Sequence, residues 1–149
     1  MDACMANWKN RRDILIVFQK DLIKAFPEEH YNVYVFGSFI RQDFEFSRSD
    51  IDILVYTLDV FLRARLDLFI LDWFKVRNIP CDVLLYCYNP YAYVYPQAIL
   101  NGFALTDYYP PRLRNELWVI TKMYETHVRE ELERKKHLAW EQAFEREVT

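Results

Sequence analysis

Between Asn7 and Phe26 the apolar residues Ile14, Leu15, Phe18, Leu22 and Phe26 recur at helical spacing, and Pro27 follows as a stop. The pattern predicts an amphipathic helix. Val33 to Phe36 are all β-branched or aromatic and run into Gly37-Ser38, so a short buried strand is expected to end in a turn there. A polar loop from Arg41 to Ser49 leads to a second strand, Asp50 to Tyr56, with Ile51, Ile53 and Val55 on one face and Asp50 and Asp52 on the other. Asp59 is placed to cap a helix carrying Leu62, Leu66, Phe69, Ile70 and Phe74, which Asn78 and Pro80 end. Cys81 to Cys87 reads as a third strand. Pro90 to Leu100 reads as a short helix, with Gly102 just past its end at a position that favours a left-handed residue. From Pro111 a long helix is expected to pack through Leu113, Leu117, Ile120, Tyr124, Val128 and Leu132, and then to continue as a solvated charged extension. Helices and strands in this order predict an α+β domain, a small mixed sheet covered by helices.

Composition narrows the function. The chain has 149 residues, enough for one domain with its own core, so residues 1–149 are taken as a single domain with a C-terminal helical extension over about 111–147. A hydrophobic share of 52% and an aromatic share of 17% describe a folded protein rather than a disordered tail. The net charge of −3 lacks the broad basic surface that a duplex requires, so direct nucleic-acid binding is not expected. Cys4, Cys81 and Cys87 lack close CxxC pairing and suggest neither a disulfide framework nor a zinc site. With no membrane-spanning run and no signal-peptide pattern, a cytoplasmic protein is expected. His30, His127 and His137 are too dispersed to suggest a metal site.

The chemistry lies in a few positions. Side chains at i and i+2 of a strand leave the same face about 7 Å apart, so Asp50 and Asp52 can converge on divalent cations roughly 4 Å apart. Asp82, at the start of the third strand, is the candidate third carboxylate. Hard oxygen ligands shared with phosphates suit Mg²⁺. The chain has only two glycines, and Gly37 stands before Ser38 at a strand end. Backbone N–H groups and the Ser38 hydroxyl can hold terminal phosphates there, with Gly37 permitting close approach and Arg41 or Arg48 adding charge.

Gly37-Ser38, a spacer, and Asp50-Ile51-Asp52 at the head of a strand read GSFIRQDFEFSRSDIDILVY, which resembles the signature of the DNA polymerase β nucleotidyltransferase superfamily. The resemblance implies a polymerase β-like nucleotidyltransferase core. Asp50, Asp52 and Asp82 would be its catalytic metal ligands, Asp82 also helping to deprotonate the acceptor. Gly37, Ser38 and Arg41 would bind the nucleotide. Many small members carry Gly-Ser-x-Ala-Arg-Gly, whereas here Phe39-Ile40-Arg41-Gln42 follow, so the arginine persists and the second glycine is lost.

Over roughly residues 30–105 the chain is similar to the minimal nucleotidyltransferases of HEPN/MNT toxin–antitoxin systems. That likeness implies a Mg²⁺-dependent antitoxin that transfers AMP from ATP to a tyrosine of a partner HEPN ribonuclease toxin, within a heteromeric complex. No RxxxxH motif of the HEPN kind occurs in the chain. The alternatives are an antitoxin acting by binding alone and a transferase acting on a small molecule such as an aminoglycoside. The tyrosines from Tyr86 to Tyr95 are expected chiefly to pack at a sheet edge, with adenine stacking, partner docking or nucleotide acceptance as other uses.

Overall fold

The computed structural model describes residues 8–27, 29–41 and 50–148. Helix α1, Trp8–Ala25, buries Leu15, Phe18 and Leu22, the stripe that the spacing predicts. Strand β1 is Asn32–Phe36 and β2 is Ile51–Tyr56. Helix α2, Val60–Val76, crosses over to β3, Cys81–Leu85, which pairs parallel to β2. Parallel neighbours need such a crossover, whereas β1 and β2 pair antiparallel. A two-residue strand β4, Phe103–Ala104, follows helix α3, Val94–Asn101, and completes the order β3-β2-β1-β4.

Strand alternation gives the sheet two apolar faces. Val33, Val35, Ile51, Ile53 and Val55 join Leu15, Phe18, Leu22, Leu66, Ile70 and Phe74 in one core beneath α1 and α2. Phe18 meets Trp73 and Phe74 at ring separations of 4.9 and 4.8 Å. On the other face Tyr34, Leu54 and Tyr56 are buried, as are Tyr95, Ala98 and Ile99 of α3. Tyr56 and Tyr86 pack edge to face there with centroids 5.1 Å apart, and Tyr95 tilts against Tyr86 at 4.8 Å.

Both ends of α2 follow local chemistry. Asp59 Oδ1 accepts from the N–H groups of Phe61 and Leu62 at 3.0 and 3.1 Å. At the C-terminus Asn78 takes φ 58°, while its N–H reaches Lys75 O and that of Ile79 reaches Phe74 O, both at 3.0 Å. This is the paired closure of a Schellman motif, and Phe74 and Ile79 are both buried in the core.

Three expectations need correction, and one strand was not expected. The helix expected from Pro90 begins at Val94, because Asn89 makes a turn of its own: its side chain accepts from Tyr91 N and its carbonyl from Ala92 N, each at 3.0 Å. The strand expected to reach Cys87 ends at Leu85. Gly102 is not left-handed. A Cβ there would collide with the Ala98 carbonyl and stand 3.0 Å from Val35 O, so closeness of α3 to β1 requires the glycine. Strand β4 was too short to leave a periodic signal.

The chain divides into two compact units, Met1–Cys87 with Val94–Pro110, and Tyr88–Tyr93 with Pro111–Thr149. The second holds α4, Pro111–Val148, and within it Tyr93 stacks on Tyr124 with centroids 3.7 Å apart. The expected stripe is buried at Leu113, Leu117 and Ile120, but Tyr124 and Leu132 are exposed. Along its exposed length the helix carries charge pairs at i,i+3 spacing, among them Glu131 with Arg134 and Glu133 with Lys136. No helix among the described residues is long and apolar enough to cross a membrane.

Replacing Asp59 by Ala removes the α2 cap and is expected to cost about 1 kcal/mol, read as a lower urea midpoint at unchanged slope. An unchanged midpoint would show that the cap contributes nothing.

Candidate active site

The registers of three strands set a single row. Phe36 of β1 lies opposite Asp52 of β2, and Asp52 lies opposite Asp82 of β3. With Ile51 and Ile53 turned into the core, Asp52 projects from the other face, and Asp82 shares its side of the sheet. Asp50 immediately precedes β2, two residues from Asp52, and is exposed like Asp82, whereas Asp52 is half-buried.

Past Phe36 the backbone turns. Gly37 has φ 75°, and Gly37–Ile40 form a single 3₁₀ turn closed by Arg41 N donating to Ser38 O at 2.9 Å. A Cβ at Gly37 would strike Asp52 Oδ2. The group that lies close to Gly37 is thus this carboxylate, where the sequence expectation was of phosphates, and the left-handed backbone adds a second reason for glycine.

Electrostatics ties the row together. Burial, and then the charges of Asp82 and Asp50, hold the Asp52 carboxyl above the ordinary carboxylate range, with Arg41 pulling the other way. Burial and the carboxylates of Asp82, Asp52, Asp50 and Asp67 push the Cys81 thiol up to about 12. The heads of β2 and β3 are therefore a concentrated negative field made of hard oxygen donors. This is the ligand chemistry and charge that a divalent cation requires. Among the described residues no group of three carboxylate, histidine or cysteine side chains is gathered closely enough to hold a metal ion as it stands. The fit is thus one of ligand type and charge, not of a closed cage.

A cleft of about 240 Å³ opens beside the turn, lined by Phe36, Gly37, Ile40 and Arg41 and by Val94, Gln97 and Asn101 of α3. Gly37 is where this cleft meets the carboxylate row. Ser38 and the three aspartates do not line it. Arg48 and Gln42, each of which enters the sequence argument, lie outside the described residues.

Three further residues belong to the turn and its cleft. Gln97 and Asn101 are one helical turn apart, and no motif marks them. Arg11, in contrast, left a signal: it continues the stripe Leu15, Phe18, Leu22 one turn toward the N-terminus, so it is a charge at an inward position. It is only 3% exposed, and its guanidinium donates to carbonyls of the 37–41 turn.

A small mixed sheet packed by helices, with acidic residues at the heads of two parallel strands beside a glycine turn, defines the class: a nucleotidyltransferase fold. The sequence matches the family model described as nucleotidyltransferase domain over residues 15–101, more than half of the chain, and the chain belongs to that family. No curated protein matches it. Among solved structures it is similar to one described as the crystal structure of a mutant of the toxin–antitoxin MntA-HpeT, at 20% identity and a TM-score of 0.42, covering 81% of this chain and 95% of that one.

The raised Asp52 carboxyl has a consequence for stability whose sign is opposite to that of an ion-paired aspartate. The cost of ionising it is absent below its unfolded pKa, near 3.9, and grows as pH rises through the folded value. With chelator present, Asp52→Asn is therefore expected to be at least as stable as wild type at pH 7, the advantage fading toward pH 4. A variant less stable at neutral pH would contradict this. Gly37→Ala is expected to lose about 1–2 kcal/mol from the left-handed backbone alone, measured by urea unfolding, and an unchanged midpoint would refute the strain.

Proposed function

We propose that the protein is a Mg²⁺-dependent nucleotidyltransferase that moves AMP from ATP to a tyrosine hydroxyl of a partner HEPN ribonuclease toxin in the cytoplasm, and so neutralises it. One observation carries the transfer chemistry: Asp52 stands in register with Asp82 on the adjacent strand and against Gly37 at the start of the turn. The antitoxin role draws on the likeness to the minimal nucleotidyltransferases over residues 30–105. The MntA-HpeT pair is itself described as a toxin–antitoxin, the arrangement proposed here.

Asp50, Asp52 and Asp82 would hold the divalent cation. When bound, it neutralises charge on the phosphates and on the departing pyrophosphate. Arg41, on the cleft side of the turn, and the backbone at Gly37 and Ser38 hold the β- and γ-phosphates, the glycine letting them approach. Asp82 accepts the proton of the acceptor hydroxyl. The freed oxygen attacks the α-phosphorus, the bond from that phosphorus to the oxygen bridging to the β-phosphorus breaks, and pyrophosphate leaves with the bonding pair. Asp82 is exposed and can meet an acceptor presented by another chain. Asp52 is half-buried and suits the ligand role better.

The test is to incubate the protein with α-labelled ATP, Mg²⁺ and the product of the adjacent gene, locating label by intact mass and peptide mapping. The expected result is AMP on a tyrosine of the partner, abolished by Asp52→Asn and slowed about 10²- to 10⁴-fold by Asp82→Asn. Tight association with no mass change on either protein would replace this reading with neutralisation by binding alone, and label on an aminoglycoside would replace the acceptor.

A further inference from the structure

Arg11 is a buried cation whose structural partners are unusual. It sits on α1, yet its Nη1 donates to the carbonyl oxygen of Phe39 at 2.6 Å and to that of Arg41, with Ser38 O a longer third acceptor at 3.4 Å. These carbonyls come from residues 27 to 30 positions away in sequence, all in the turn that follows β1. A guanidinium suits this task because it is planar, permanently charged and less strongly hydrated than an ammonium, so it can be buried with its donors in fixed directions. Hydrogen bonds from a charged donor are about twice as strong as neutral ones, and here they add to the turn's own closing bond and to the burial of Phe39 in the core.

We infer that Arg11 is a positioning residue for nucleotide binding: it fixes the turn 37–41 so that the turn presents Arg41 and its amides to the polyphosphate of the substrate. The inference rests on the transferase reading above. Three observations lead to it. In a trans peptide the N–H opposes the C=O, and the described chain has no cis bond. Drawing the Ser38 and Phe39 carbonyls onto Arg11 therefore aims the N–H groups of Phe39 and Ile40 away from α1, and Ile40 lines the cleft beside the turn. Second, Arg11 holds the backbone of Arg41, whose own charge is felt at the Asp52 carboxylate. Third, Gly37 at the head of the same turn lies against that carboxylate, so a turn that moved would shift the phosphate site relative to the acidic row. Arg11 touches none of the reacting atoms. It acts through the turn.

Calorimetric titration separates this role from a merely structural one, since it reads affinity and number of sites independently. Wild type, Arg11→Lys and Arg11→Gln are titrated with Mg²⁺–ATP and with inorganic tripolyphosphate. Lysine keeps the charge but not the planar fork, and glutamine keeps a donor without the charge. We expect Kd for both ligands to weaken about tenfold or more in each variant while the number of sites stays near that of wild type. Fewer sites at unchanged Kd, or unchanged binding, would overturn the assignment, because loss of folded protein alone lowers the count of competent sites and not their affinity. If wild type bound neither ligand, the transferase reading would fail first and carry this inference with it.

Discussion

The site depends on the register of one row of the sheet, Phe36, Asp52 and Asp82. A slip of one residue in either ladder would turn the carboxylates into the core and the isoleucines out of it. That cannot happen cheaply, because Val33, Val35, Ile51, Ile53 and Val55 all insert into the same apolar cluster under α1 and α2. The hydrophobic pattern that folds the protein therefore also decides which aspartates face each other. The two tasks are coupled through the period of the strand.

The price of this arrangement is concentrated negative charge. Asp52 is half-buried, faces two other carboxylates, and has a glycine beside it where any other residue would press on its oxygen. Arg41 supplies some opposing charge from the turn, and Arg11 supports that turn from α1. The region carries a concentration of negative charge that a divalent cation would neutralise, while Arg41 is the group beside it that a polyphosphate would pair with. In the proposed transferase, folding stability and substrate binding would thus draw on the same few residues with opposite signs, which is common where function resides.

Much of this was legible in the sequence, for reasons that particular residues make clear. The stripes of α1 and α2, the Asp59 cap and the alternation of β2 are local patterns, and the structure follows them closely. Gly37-Ser38 before Asp50-x-Asp52 stood out because glycine is scarce in this chain. The parts that were not legible depend on tertiary contact. Strand β4 exists because Leu105 N reaches Val33 O and Ala104 pairs with Tyr34, contacts that no window around residue 103 contains. The helix start at Val94 was missed because an Asn89 side chain outcompeted the helix signal of the residues after it. Arg11 was readable as an inward charge, but its acceptors are backbone carbonyls, which sequence does not distinguish. The stripe of α4 failed past Ile120 because helical spacing marks a face without saying whether anything covers it.

The most direct test of the account is whether the row of aspartates binds a hard divalent cation. Mn²⁺, which shares the oxygen preference of Mg²⁺, can be titrated into the protein with a non-hydrolysable ATP analogue and its bound fraction followed by electron paramagnetic resonance. The account predicts saturable binding by wild type that is lost in Asp52→Asn, with the variant still folded by circular dichroism. Equal Mn²⁺ binding by wild type and the variant, or none by wild type, would contradict it.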